Sequence, residues 1–167
     1  METPSAHAAS KRPRSILAGP YGHPFHAILV TIPIGAWVAA FVFDLMALLG
    51  NDPHSFAQGA RWLIGIGLVG ALLAAVVGLI DYSTLASGTR ANRIASIHLV
   101  LNLIVMALMV LSLVMRVRSD GFSTSGFVLS LVALAALGLS GFLGGELAYR
   151  FGIRVADEQT QRDAFEG

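Results

Sequence analysis

Residues 94–115 read IASIHLVLNLIVMALMVLSLVM, a stretch with no charged side chain that is bounded by Arg93 and Arg116. A helix rises 1.5 Å per residue, so such a stretch extends about 33 Å, enough to cross a hydrocarbon core of about 30 Å. Three further stretches are also free of charge: residues 15–43, 62–80 and 121–145. None shows the ten-residue alternation of a membrane barrel, and lipid-exposed backbone must satisfy its hydrogen bonds within its own segment. The reading is all-α: a four-transmembrane-helix up-down bundle with short connections between antiparallel neighbours.

Composition agrees. Of 167 residues 55% are hydrophobic and 13% charged, and the mean hydropathy is +0.71, too apolar for an ordinary soluble domain. With no cysteine in the chain, disulfides, thiolate metal sites and iron–sulfur ligation by this chain are excluded. The few basic residues have no aromatic platform beside them, so nucleic acid is not an expected partner. The lipid bilayer is.

Four crossings put the segment before the first helix, the second loop and the segment after the fourth helix on one side. That side holds Lys11, Arg12, Arg14, Arg90, Arg93, Arg150, Arg154 and Arg162, against Arg61, Arg116 and Arg118 opposite. The positive-inside rule then places both termini of this multi-pass membrane protein in the cytoplasm, which in a bacterium means the inner membrane. The apolar run after "KRPR" is too long for the core of a signal peptide and reads as an uncleaved span. Three regions follow: a flexible basic N-terminal arm over 1–20, the transmembrane domain over 21–150 and a polar C-terminal tail over 151–167.

The expected helices cover about 24–49, 60–81, 93–115 and 123–149. Pro33 removes a hydrogen bond and predicts a kink one turn earlier, near Leu29. No internal repeat is evident, which weakens an inverted-repeat transporter reading. In "GLSGFLGGE", Gly138, Gly141 and Gly144 recur every third residue and Gly141 with Gly145 forms GxxxG. Close helix packing is the first reading of that stripe, ahead of a groove for a flat cofactor.

Ionisable groups inside a membrane each need a partner. Following the crossings, His23 and His26 start the first helix, Asp81 ends the second, His98 lies near the start of the third and Glu146 near the end of the fourth. All four helices therefore deliver a ligand or proton carrier to one end of the bundle. Asn102 lies one turn beyond His98 on the same face. His23 shares a face with His26 only if the helix begins before Pro24.

Neutral imidazoles with carboxylates bind iron or zinc, and imidazoles from two helices can clamp haem iron. The cofactor-binding candidates are His26, His98 and Asn102; the metal candidates are His23, His26, Asp81, His98 and Glu146. A structural account competes, in which these groups pair with one another and with arginines at headgroup level, and proton transfer is a third. Asp44 lies 18 positions beyond His26, at the opposite end, where Arg61 or Arg116 is the expected partner. No serine sits in a G-x-S-x-G elbow, so no catalytic nucleophile is assigned.

The run "GHPFHAILVTIPIGAWVAAFVFD", the "GLIDY" closing the second helix, "RIASIHLVLN" and "GFLGGELAYRFGIRV" resemble the DUF2231 family of four-helix bacterial membrane proteins of unassigned function. The resemblance covers about residues 20–156. Its motif positions are His23, Pro24, His26, Pro33, Asp81, His98, Asn102, Gly144, Gly145 and Glu146. Relatives fused to or encoded beside Rieske-type domains imply redox work, so a Rieske-type or quinone-linked partner subunit is expected.

The leading functional expectation is a membrane protein binding haem b, or else iron or zinc, for electron transfer through this cluster. The alternative is a non-enzymatic accessory subunit packing in a larger membrane complex, with an oligomer as a further expectation.

Overall fold

The computed structural model describes residues 5–50, 52–119 and 121–166, and every regular element among them is helical. Four spans are long and apolar enough to cross a membrane: Phe25–Leu49, Pro53–Tyr82, Arg90–Val117 and Thr124–Arg150. The first is broken into α2 (Phe25–Leu29) and α3 (Thr31–Leu49), following the short α1 (Ala6–Lys11). The break sits where Pro33 predicts it, because a proline has no N–H to offer the Leu29 carbonyl one turn back.

The second span, α4 (Pro53–Tyr82), starts seven positions before the expected residue 60. Asp52 caps it by accepting from the Ser55 N–H at 3.1 Å, and Pro53 fills the first helical position, where its missing N–H costs nothing. The third, α5 (Arg90–Val117), is capped by Thr89, and α6 (Thr124–Gly145) by Ser123. From Glu146 to Arg150 the fourth span widens into a π turn.

Packing is extensive within each hairpin, α3 on α4 and α5 on α6, and sparser between hairpins. The first and third spans thus face each other across the bundle's diagonal. Trp37 and Ala40 of α3, Ile64 and Ala71 of α4, Val105 and Met109 of α5 and Ala133 of α6 make the core. Gly67 is required beside Trp37, since a Cβ there would run into the indole ring. Less than a third of each span's most apolar window is buried, so most of its Val, Leu and Ile side chains face lipid.

Away from the arm and tail, the diagonal is closed by charge. Arg116 donates from Nη1 and Nη2 to the two carboxylate oxygens of Asp44 at 2.5 and 2.7 Å. Its Nε donates to Ser112 Oγ at 3.1 Å, and Nη2 also reaches Ser130 Oγ at 3.3 Å. Both ions are within 1% of full burial. Arg61 instead donates to the carbonyls of Ser119 and Gly121.

At the other end, the segment expected to trail as a flexible arm packs on the bundle. Lys11 and Ala18 are buried, and the Arg154 N–H donates to Ser10 O at 3.1 Å. The tail adds α7 (Glu158–Asp163), tied back through Asp157, whose carboxylate accepts from the Tyr21 hydroxyl at 2.6 Å.

Candidate functional site

His26 stands on the first turn of α2, two positions after Pro24, which precedes the helix. Its Nδ1 lies 2.9 Å from the Ala74 carbonyl of α4. His98, on the third turn of α5, places Nδ1 2.8 Å from the Ser140 carbonyl of α6. A carbonyl only accepts, so each Nδ1 carries the hydrogen, and in the neutral ring each Nε2 keeps its lone pair.

Asn102 sits beside the second ring and ties Ser140 to the His98 backbone. Its amide nitrogen is 2.8 Å from both His98 O and Ser140 Oγ, and 3.1 Å from His98 Nε2. Donation to a carbonyl identifies that atom as nitrogen, and its two hydrogens are taken by the two shorter contacts. The rings of His26 and His98 are 6.4 Å apart between centroids and nearly perpendicular, at 83°.

The imidazoles share a cavity of about 460 Å³ that opens between the hairpins, a size usual for small-molecule and cofactor sites. Trp37, Val105 and Met106 help to form its apolar wall; Asp81 and Arg154 join it from the arm-and-tail end. Gly141 and Gly145 also line it, and a Cβ added at either, or at Gly138, would meet nothing within 4 Å. Here the packing expectation for the glycine stripe is corrected. Only Gly144 is in contact, against His98; the others face open space because helix six turns that side toward the cavity and lipid.

The remaining candidates separate. Helix α2 begins after Pro24, which leaves His23 outside it, exposed, with Nδ1 3.3 Å from Tyr21 O. Asp81 lies 2.9 Å from Arg154 Nε. Glu146 pairs with Arg90 at 3.4 Å and Arg150 at 3.3 Å. Among the described residues no group of three or more His, Asp or Glu is gathered as for a metal ion. Ser83 and Ser96 hydroxyls donate to backbone carbonyls one turn back.

Two features escaped the sequence reading. One is a parallel repeat: the intervals from His26 to Asp44 and from His98 to Arg116 are both 18 positions, and the accepting Ala74 and Ser140 each precede by four a glycine against the ring, Gly78 and Gly144. Matching intervals were the available signal; residue identities hide it, since Asp answers to Arg and Ala to Ser. The other is Arg154, which looks like a topogenic charge until the tail is folded.

A family model described as a predicted membrane protein, DUF2231, matches residues 22–157. The chain belongs to the DUF2231 family. No curated protein and no solved structure matches it. The DUF2231 match takes in both hairpins, the imidazole pair and Arg154, and leaves out α1 and α7.

Proposed function

We propose that this DUF2231 protein is a small b-type electron carrier, with His26 and His98 as the two axial ligands of a haem. The observation that carries the reading is the imidazole pair: two rings from diagonal spans, each tethered through Nδ1 to a backbone carbonyl. Such tethering sets the tautomer and orientation of metal-binding histidines. The spacing also fits. Two metal–nitrogen bonds of about 2 Å, with about 1 Å from each nitrogen to its ring centre, separate the centroids of a linear arrangement by about 6 Å, against the 6.4 Å found.

A bare metal ion fits less well. Zinc takes four ligands and two imidazoles supply half of them; a porphyrin would bring the other donors itself. His26 and His98 would hold the haem, which when bound would supply one-electron transfer. Ser140 O holds the His98 ring, with Asn102 bracing the Ser140 side chain, and Ala74 O holds the ring of His26. The glycine-lined side of the fourth span leaves room beside the pair. The basic excess at the arm-and-tail end supports placing it in the cytoplasm of a bacterium, where a quinone-linked or Rieske-type subunit would exchange electrons with it.

Titration of the purified protein with hemin tests this. One equivalent should give the Soret and α bands of six-coordinate low-spin haem, His26→Ala and His98→Ala should each abolish them, and His23→Ala should leave them intact. A folded protein that gives no stoichiometric spectral change ends the proposal. The accessory-subunit alternative expects both histidine variants to lose assembly with a larger complex while no spectrum changes.

A further inference from the structure

Arg154 is 3% exposed and forms part of the wall of the same cavity. Its guanidinium has five N–H donors to place. Nη2 donates to Ala18 O at 2.7 Å and Gly19 O at 3.1 Å. Nε makes the ion pair with Asp81, although the angle is too bent for a hydrogen bond. Nη1 is buried and has no partner among the described residues. A charged donor left unpaired out of water is costly.

The backbone at this residue is held against its preference as well. Arg154 has φ 62°, the only positive φ of a non-glycine among the described residues; a left-handed non-glycine is strained and persists where surrounding contacts impose it. Lys11, buried beside Gly152, adds a second positive charge to the same loop. The tail therefore presses an incompletely satisfied cation against the rim of a chamber that, apart from Asp81, the two imidazoles and a few polar neighbours, is walled by apolar side chains.

We infer that Arg154 is the anion anchor of this cavity, using Nη1 to hold the carboxylate of an amphiphile whose apolar body fills the space between the hairpins. A carboxylate suits it: a planar acceptor for a planar fork. The group could be a propionate of a porphyrin or the head of a fatty acid. The first source rests on the haem reading; the carboxylate site does not.

Trp37 lines the cavity and reports on it. In a Trp62→Phe background, where Trp37 is the remaining tryptophan, bilayer nanodiscs at alkaline pH would be titrated with dibromostearate and with its methyl ester. The acid should quench Trp37 at about tenfold lower concentration than the ester, as expected for one charge-assisted hydrogen bond. Arg154→Gln and Arg154→Lys should remove that preference. Equal quenching by acid and ester in the Trp62→Phe protein overturns the inference without any change at Arg154, so misfolding of the variants cannot rescue it. Preference retained by folded Arg154→Gln also overturns it.

Hemin and its dimethyl ester form the second arm. No Soret change with hemin, together with acid-selective quenching by dibromostearate, removes the haem reading and leaves the carboxylate site. Equal binding of hemin and its dimethyl ester, with no acid preference for the fatty chain, does the reverse.

Discussion

The two ends of the bundle solve the same geometric problem in opposite ways. At each, a residue from the first span confronts its counterpart from the third across the diagonal. Asp44 and Arg116 complement each other, so they close the gap and seal it with Ser112 and Ser130. His26 and His98 do not: with Nδ1 given to a carbonyl, each presents an acceptor, and two acceptors cannot bond to each other. One end is finished by its own residues. The other leaves a chamber between the hairpins, with two imidazoles in its wall.

The largest expected effect comes from breaking the finished end. Asp44→Ala strands a guanidinium that is 1% exposed, and removal of one partner of a buried ion pair costs about 3–5 kcal/mol. Thermal unfolding in detergent should show that loss, and the exchange Asp44→Arg with Arg116→Asp should recover part of it. A single variant within about 0.5 kcal/mol of the parent would mean that the diagonal is not held by this pair.

Crowding the open end should cost less and act on the site. An added Cβ at Gly78 would lie 2.9 Å from both Cε1 and Nδ1 of His26, forcing the ring off Ala74 O; Gly78→Ala should destabilise by about 1–3 kcal/mol. At Gly144 the nearest ring atom is 3.2 Å away, so Gly144→Ala should cost distinctly less. Gly138→Ala meets open space and should be neutral or gain up to about 1 kcal/mol from helix propensity. Equal losses at all three positions would refute the assignment of which glycines touch the imidazoles.

Asn102→Leu probes the asymmetry within the pair. It deletes two hydrogen bonds of 2.8 Å, to His98 O and Ser140 Oγ, worth about 1–2 kcal/mol together, and so loosens Ser140, whose carbonyl holds the His98 ring, while leaving His26 alone. With hemin, the expected outcome is weaker binding with the low-spin spectrum retained, unlike the complete loss in His98→Ala. Unchanged affinity would leave Asn102 a packing residue.

The spans were legible because charge-free length is a one-dimensional property, read from 94–115 as readily as any structure shows it. The Pro33 break was equally local. Helix starts were less so: Asp52–Pro53 reads as a turn, yet capping and a first-position proline make it the beginning of α4. The site was legible only to the level of the bundle end. That five polar residues arrive there follows from counting crossings; which of them meet depends on side-chain direction. Pro24 detaches His23, and arginines at 90 and 150 draw Glu146 away. The glycine stripe misled for a related reason: small residues permit close approach, but whether a neighbour comes is settled by how the hairpins dock. Arg154 depended on the fold of a tail that composition alone marks as polar.

The smallest expected effect lies where the open end meets water. The Tyr21 hydroxyl, then the Thr160 N–H, hold the Asp157 carboxyl down to a pKa of about 2 from the ordinary 3.8. A depressed folded-state pKa stabilises above the unfolded value and ceases to do so as pH falls through the folded one. Docking of the tail through Asp157 should therefore be complete above about pH 4 and disappear toward pH 2. Because the group lies at the surface, solvent screens the contact and the change should be slight. Tyr21→Phe should return Asp157 toward the ordinary carboxylate range in an NMR titration and make α7 more open to hydrogen exchange, while the Asp44–Arg116 end stays as protected as in the parent. If the far end loosened equally, the two ends would be a single cooperative unit rather than the closed and open halves contrasted here.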